Sequence, residues 1–335
     1  MNSIECRATE EIAKDIYRIP VFLPDSPLKE LNSYLIKDAE RSLLIDTGFR
    51  IDVCLEALLS GLAELGEDPG AVDILLTHMH SDHAGLAADI VGDDRCIFIS
   101  ETDCKILATN DEEEKLTVVT LAERFRTAGM PAFIIDSMTQ INPAIAYSPK
   151  TGVTRYTVIQ DGETIRVGGY EFRCILTPGH TPGHMCLWDE ADGIMFTGDH
   201  VLFDITPNIT AWTYVKDSLA DYLNSLRAIS IYPVKTPLPG HRKPGDFHVR
   251  IEELLLHHEN RLAEIERIIH ETPGSTAYDI SGKMRWKIRA TNWAEFPSTQ
   301  KIFAVGECMS HLDYLMIREK ITSRFDGNLV RYFSK

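Results

Sequence analysis

Apolar residues in the first third of the chain fall in short runs broken by turn residues. DIYRIPVFL (15–23), NSYLI (32–36) and RSLLIDTG (41–48) read as strands, the last closing in a tight turn at Gly48. Residues 51–66, IDVCLEALLSGLAELG, place apolar positions at helical spacing up to a glycine stop. VDILLT (72–77) is the next strand, DHAGLAADIV turns helical after the loop that follows it, and CIFIS (96–100) is another strand. Residues 101–150 break this rhythm with a charged NDEEEK, a helical run LTVVTLAERFRTAG and an irregular, Pro-containing segment to Pro149. An insertion over a functional face and a pair of ordinary connecting helices fit that pattern equally. From 151 the strand signals return in TRYTVI, TIRV, YEFRCIL, HMCLWDE and GIMFTGD, followed by a helix at 215–229 and a strand ending at His241.

Near residue 250 the pattern becomes almost purely helical. VRIEELLLHHENRLAEIERIIHE (249–271) is stopped by Pro273-Gly274; TAYDISGKM and a helix over 299–321 follow, then a hairpin over 324–333 with Asp326-Gly327 at its turn. Helix, helix, helix and hairpin is a winged-helix-like order. The expected division is therefore a large domain over 1–248 and a small one over 249–335, which suits a chain of 335 residues.

Charge narrows the partners. Lys and Arg number 34 against 50 Asp and Glu, a net charge of −16, which disfavours nucleic acid and anionic membranes as general partners. One contrary feature is a basic stripe at Lys283, Arg285, Lys287 and Arg289, which reads equally as a solvated strand or loop. The first twenty residues lack an apolar signal core, and no run of about eighteen apolar residues occurs to span a membrane. The seven cysteines are dispersed and never spaced C-x-x-C, so they read as reduced thiols of a cytoplasmic protein.

The chemistry concentrates in LTHMHSDHAG (76–85), which holds His78, His80, Asp82 and His83 at the carboxyl end of a strand. In a loosely turned loop His78 and His80 point the same way and suit one metal, while Asp82 and His83 begin a helical turn aimed at a second position. His180, Asp199 and His241 each follow an apolar run beside glycine. Any one alone is an ordinary turn residue; the whole set in this order is not.

H-x-H-x-D-H at 78–83 with His180, Asp199, His241 and LIDTG (44–48) resembles the motif series of the metallo-β-lactamase-fold hydrolase superfamily over residues 15–245. The resemblance implies an α/β (α+β) fold, a four-layer αββα sandwich of two sheets with helices outside. It implies one metal on His78, His80 and His180, a second on Asp82, His83 and His241, and Asp199 bridging. Asp46 would orient the histidine loop, or else simply end a strand. The ions would be two divalent cations, zinc first, with iron or manganese as alternatives. GDHVLFDITPNI, LADYLNSLRAI, LPGH and HHENRLAEI look like the glyoxalase II-like and endoribonuclease β-lactamase-like branch, which carries a winged-helix-like tail.

Two ions sharing a hydroxide make a nucleophile near neutrality, and Asp82 would serve both as ligand and as catalytic proton acceptor. Hydrolysis of a carboxylic ester, thioester or lactone in a small acyl substrate is the first expectation. Phosphodiester cleavage of RNA is the alternative, and the acidic balance opposes it. Redox relatives carry Glu where His80 stands, and the zinc-dependent lactamases depart from the pattern at Asp199. His184 and His200 are open between support and packing; Asn208, Trp212 and Tyr214 between pocket and packing. His248, His257, His258 and His270 read as ordinary helix residues, and a homodimer is left open.

Overall fold

Near-continuous burial along the third to fifth strands marks a sheet covered on both faces, against which the rest of the molecule is layered. The structure, a computed structural model, describes residues 8–24, 26–109, 111–141, 147–150, 155–287, 290 and 292–335, with the backbone only at 111–114 and 139–141. Cys6 and Arg289 lie outside the described residues. Strands β1 (Glu10–Ala13), β2 (Ile16–Phe22), β3 (Glu30–Ile36), β4 (Leu43–Ile45), β5 (Asp73–Leu75), β6 (Ile97–Ser100) and β7 (Tyr156–Ile159) lie in that order in a seven-stranded sheet. It is antiparallel as far as β4 and parallel from β4 to β7.

A second sheet holds β8 (Thr164–Val167), β9 (Tyr170–Leu176), β10 (Met185–Asp189), β11 (Ile194–Gly198) and β12 (Thr236–Pro239), antiparallel except for the β11–β12 pair. The sequence pattern grouped TRYTVI with these later strands, yet β7 completes the first sheet beside β6. The long helical crossover between them explains this, because a parallel neighbour requires such a connection.

Ile16, Ile36, Ile45, Phe172, Leu187 and Phe196 fill the space between the sheets. Outside the first sheet, helix α1 (Asp52–Glu64) buries Leu58 and Leu62 in a cluster with Ile19, Leu35 and Ile74. Two short helices, α2 (Ser81–Ala84) and α3 (Ala87–Ile90), follow β5, and α4 (Glu101–Leu107) follows β6. Next come α5 (Asp111–Thr127) and α6 (Ala132–Ile141). The second of these replaces the irregular segment expected there. Pro131 stands just ahead of its first residue, where a missing N–H costs nothing, so the proline opens a helix rather than breaking one.

Outside the second sheet, α7 (Ser218–Ile229) and α8 (Phe247–Glu271) bury Leu219, Leu226 and Ile251 over Cys186, Trp188 and Met195. Sheets facing each other with helices on both outer faces make the four layers anticipated from the resemblance. Beyond them stand α9 (Ala277–Lys283), α10 (Ser298–Ile317) and a hairpin of β13 (Ile321–Phe325) and β14 (Val330–Ser334). The last helix ends four residues earlier than its apolar pattern implied. Glu319 adopts φ 55° and the N–H of Lys320 returns to the carbonyl of Leu315, which closes the helix and frees Ile321 for the strand. Phe125, Ile134 and Met138 from α5 and α6 share one core with Ile265, Ile302 and Leu312, so the 111–141 helices pack on the C-terminal ones. No helix among the described residues is long and apolar enough to cross a membrane.

Candidate metal centre

The loop after β5 brings His78 and His80 together. His78 Nε2 lies 3.1 Å from His80 Nδ1, and His80 Nδ1 lies 2.9 Å from His180 Nε2, contributed by the turn after β9. Asp82 and His83 stand on α2; with His241, just beyond β12, they form a second triad. Asp82 Oδ2 is 3.2 Å from His241 Nε2, and His83 Nε2 is 3.3 Å from His241 Nε2. Asp199, at the end of β11, sits between the triads: Oδ1 is 3.5 Å from His83 Nε2, while Oδ2 is 3.5 Å from His241 Nε2 and 3.7 Å from His180 Nε2. Seven residues spread over four strand ends are thus brought into one buried cluster.

The far sides of the His83, His180 and His241 rings are anchored. His180 Nδ1 donates to the carbonyl of Asn208 at 2.9 Å, and His241 Nδ1 donates to the carbonyl of Glu30 at 2.8 Å. A carbonyl can only accept, so in each neutral ring the bare nitrogen is Nε2, aimed inward. His83 Nδ1 meets Asp46 Oδ2 at 2.7 Å. Asp46 also accepts the N–H and the hydroxyl of Thr77 at 2.8 and 2.7 Å, fixing the residue before His78. It does this with φ 60°, a left-handed backbone that Asp tolerates better than most residues and that still costs about 1 kcal/mol.

The electrostatics set the two sides apart. Burial drives His78 well below the usual imidazole range and pushes His80 down to about 3, with neighbouring rings adding to the effect. Burial works the same way on His83 and His241, but around them it is outweighed by Asp46, Asp82 and Asp199, and both are raised. Asp82 is held down to about 2 and Asp199 lower still: burial opposes their charge, and His83 and His241 more than compensate.

The donor set fits divalent cations. Inward-facing nitrogens about 3 Å apart repel one another unless a cation lies between them, and Asp199 Oδ1 is buried with no hydrogen-bond partner among the described residues. Around a tetrahedral zinc with bonds of about 2.0–2.1 Å, neighbouring donor atoms lie roughly 3.3 Å apart. The spacings here are of that size. Each triad, and the set His78, His83 and Asp199, keeps its donor atoms within 4.8 Å of one another.

Several supporting residues escaped the sequence reading. Asp103, fully buried on α4, accepts the N–H of Met79 at 2.9 Å, the hydroxyl of Thr181 at 2.7 Å and the N–H of Gly183 at 2.7 Å. One carboxylate therefore ties the His78/His80 loop to the His180 turn. Gly240 is a glycine because of closeness: a Cβ there would stand 2.6 Å from Asp199 Oδ1 and 2.8 Å from His83 Cε1. His184, which the sequence left open, is a support: Nε2 accepts the N–H of Asp199 at 3.1 Å, and Nδ1 faces Thr177 Oγ1 at 2.8 Å. His200 is buried against Tyr222 with neither ring nitrogen hydrogen-bonded among the described residues, so it packs.

Trp212 does more than pack, since its Nε1 donates to the carbonyl of His180 at 3.3 Å and its ring stacks 6.0 Å from that of His80. His258 is no ordinary helix residue. It is wholly buried, with Nδ1 3.0 Å from His311 Nε2. Of the basic stripe, Lys283 lines a cavity of about 420 Å³ beside Tyr278 and Trp293, whose lining includes none of the clustered histidines.

Comparison with known proteins follows the same lines. The description "Metallo-beta-lactamase superfamily" matches residues 30–241. The probable metallo-hydrolase YqjP of Bacillus subtilis (strain 168) is 28% identical over 315 residues, covering 90% of this chain and 92% of its own length. An atrochrysone carboxyl ACP thioesterase of Aspergillus fumigatus is 28% identical over 210 residues, 63% of this chain and 38% of that protein. Among solved structures, a metallo-beta-lactamase family protein of Thermus thermophilus superposes with a TM-score of 0.80 at 27% identity, covering 97% of this chain and 100% of that one.

Proposed function

The chain belongs to the metallo-beta-lactamase superfamily, and from that premise we propose that it is a two-metal hydrolase cleaving a carboxylic ester, thioester or lactone. The observation that carries the reading is the pair of facing triads with the buried Asp199 between them, its Oδ1 lacking a hydrogen-bond partner among the described residues. His78, His80 and His180 would hold one ion, and Asp82, His83 and His241 the other, with an oxygen of Asp199 offered to each side. When bound, such ions supply Lewis-acid stabilisation of a developing oxyanion and bring the pKa of water toward neutrality.

The chain's own side chains do the rest. Asp46, Asn208 and Glu30 hold the rings of His83, His180 and His241 in the orientation that keeps Nε2 inward. Asp82 is a carboxylate at neutral pH and stands at the edge of the cluster, where it accepts the proton released by the attacking water. Trp212 and the exposed Tyr214, with rings 6.1 Å apart, form an aromatic wall beside His80 that suits an acyl group. The net charge of −16 favours a small substrate over a polyanion. The Aspergillus relative named for thioesterase action points to the same bond class. Zinc is the first choice of ion because three of the donors in one triad are imidazoles.

The test is metal analysis followed by a substrate panel. Protein prepared without chelator should carry close to two ions per chain. It should hydrolyse at least one thioester, ester or lactone, and lose that activity in Asp199→Ala. Cleavage of single-stranded RNA that disappears in the same variant, with every acyl substrate inert, would replace this reading with a ribonuclease.

A further inference from the structure

Residues 208–212 form a strap between the metal cluster and the C-terminal helices. On one side the carbonyl of Asn208 accepts from His180 Nδ1, and Trp212 Nε1 donates to the His180 carbonyl while its ring stacks near His80. The strap therefore grips one member of the first triad at both its ring and its backbone and lies against another.

On the other side the strap is fastened to α10. Asn208 Nδ2 donates to the carbonyl of Phe303 at 3.2 Å and to Glu307 Oε2 at 3.3 Å. Ser310 Oγ donates to the carbonyl of Ile209 at 2.5 Å, and the N–H of Ala211 donates to the carbonyl of Gly306 at 3.2 Å. Gly306 marks the tightest approach, since a Cβ there would stand 2.5 Å from Thr210 Oγ1. Glu307 is itself fixed, buried on α10 with Arg261 Nε at 3.5 Å from α8. A helix that starts more than a hundred residues after His180 thus sets the position of the carbonyl that orients its ring. The orienting partner of a metal-bound histidine typically governs about 10- to 100-fold in metal affinity.

We propose that α10 is a positioning element for the first metal ion, acting on His180 through the strap, with Asn208 as the positioning residue and Gly306 as the contact that permits it. This rests on the two-metal reading given above. Asn208→Ala keeps the backbone carbonyl but removes both side-chain ties to α10. Gly306→Ala pushes the strap away through Thr210 Oγ1. Thr210→Ala in the same chain relieves that push, because the nearest remaining atom, Thr210 Cβ, lies 3.5 Å off.

Zinc binding is measured calorimetrically in a His241→Ala background, in which the His78/His80/His180 triad stays complete and the second triad is broken, and the metal-free melting temperature is followed in parallel. Asn208→Ala and Gly306→Ala should each weaken this ion about tenfold while metal-free melting shifts by a few degrees at most, and adding Thr210→Ala to Gly306→Ala should restore it. Unchanged zinc affinity in both variants would overturn the inference, as would an affinity loss that Thr210→Ala fails to reverse. A natural chain that binds no zinc at all would instead remove the two-metal reading beneath it.

Discussion

Replacing Gly240 by alanine adds a methyl group at the most crowded point of the cluster. To reach an ordinary contact of 3.4 Å, that methyl must gain 0.8 Å from Asp199 Oδ1 (3.4 − 2.6) and 0.6 Å from His83 Cε1 (3.4 − 2.8). Neither neighbour is free to move. His83 is wholly buried with Nδ1 held 2.7 Å from Asp46, and the backbone N–H of Asp199 is bound to His184. Overpacking of this kind costs about 1–3 kcal/mol. Asp199 faces both triads, so the strain should be shared between both ions, weakening their combined binding by about 5- to 150-fold. Calorimetric zinc titration of Gly240→Ala beside the natural chain measures this directly, with metal-free melting temperature as the control for general unfolding. Both ions bound at natural affinity, with unchanged melting, would show that the turn before His241 has slack, and the rigidity argued for the site would be wrong.

Two further outcomes follow from the anchoring groups. Asp46→Asn should weaken the second ion about 10- to 100-fold and the first ion less, because Asp46 holds the His83 ring directly but reaches His78 only through the Thr77 hydroxyl; metal competition with a chromophoric chelator reads the two steps, and an equal loss at both would contradict this. Burial pushes the Asp103 carboxyl up from 3.8 to about 6, so the folded form holds its proton more tightly than the unfolded chain does. The stability this contributes is full below about pH 3.8 and disappears as pH rises through 6, a swing of about 3 kcal/mol. Asp103→Asn should lose that slope, and urea unfolding of the metal-free proteins between pH 4.5 and 7.5 would contradict this if both fell in parallel.

The chemistry was far more legible in the sequence than its support. Each cluster residue follows an apolar run, so spacing singled out His78 through His241 as candidates, and the family resemblance grouped them into two triads. Asp103 left no such trace. In ETDCKIL it looks like an acid in an exposed first helical turn, and its three partners lie at Met79, Thr181 and Gly183, which only the assembled fold brings near. His258 and His311 were hidden in the same way, because a helical repeat shows which face a residue occupies and not which other helix covers it. Strand β7 was misassigned for a related reason: its apolar pattern fits either sheet, and the helical crossover ahead of it decides. The strap at 208–212 has no periodicity to read at all.

The connections to α10 bear on the order in which the molecule can become active as it is synthesised. The first triad is complete in the nascent chain once His180 has emerged, and the second once His241 has. The contacts at Phe303, Gly306 and Glu307 that seat the strap come from the last tenth of the sequence. With translation at about 5–20 residues per second, several seconds separate possession of the first donors from their final alignment. On the two-metal reading, an ion captured during that interval would be held by donors that the closing helix has not yet aligned.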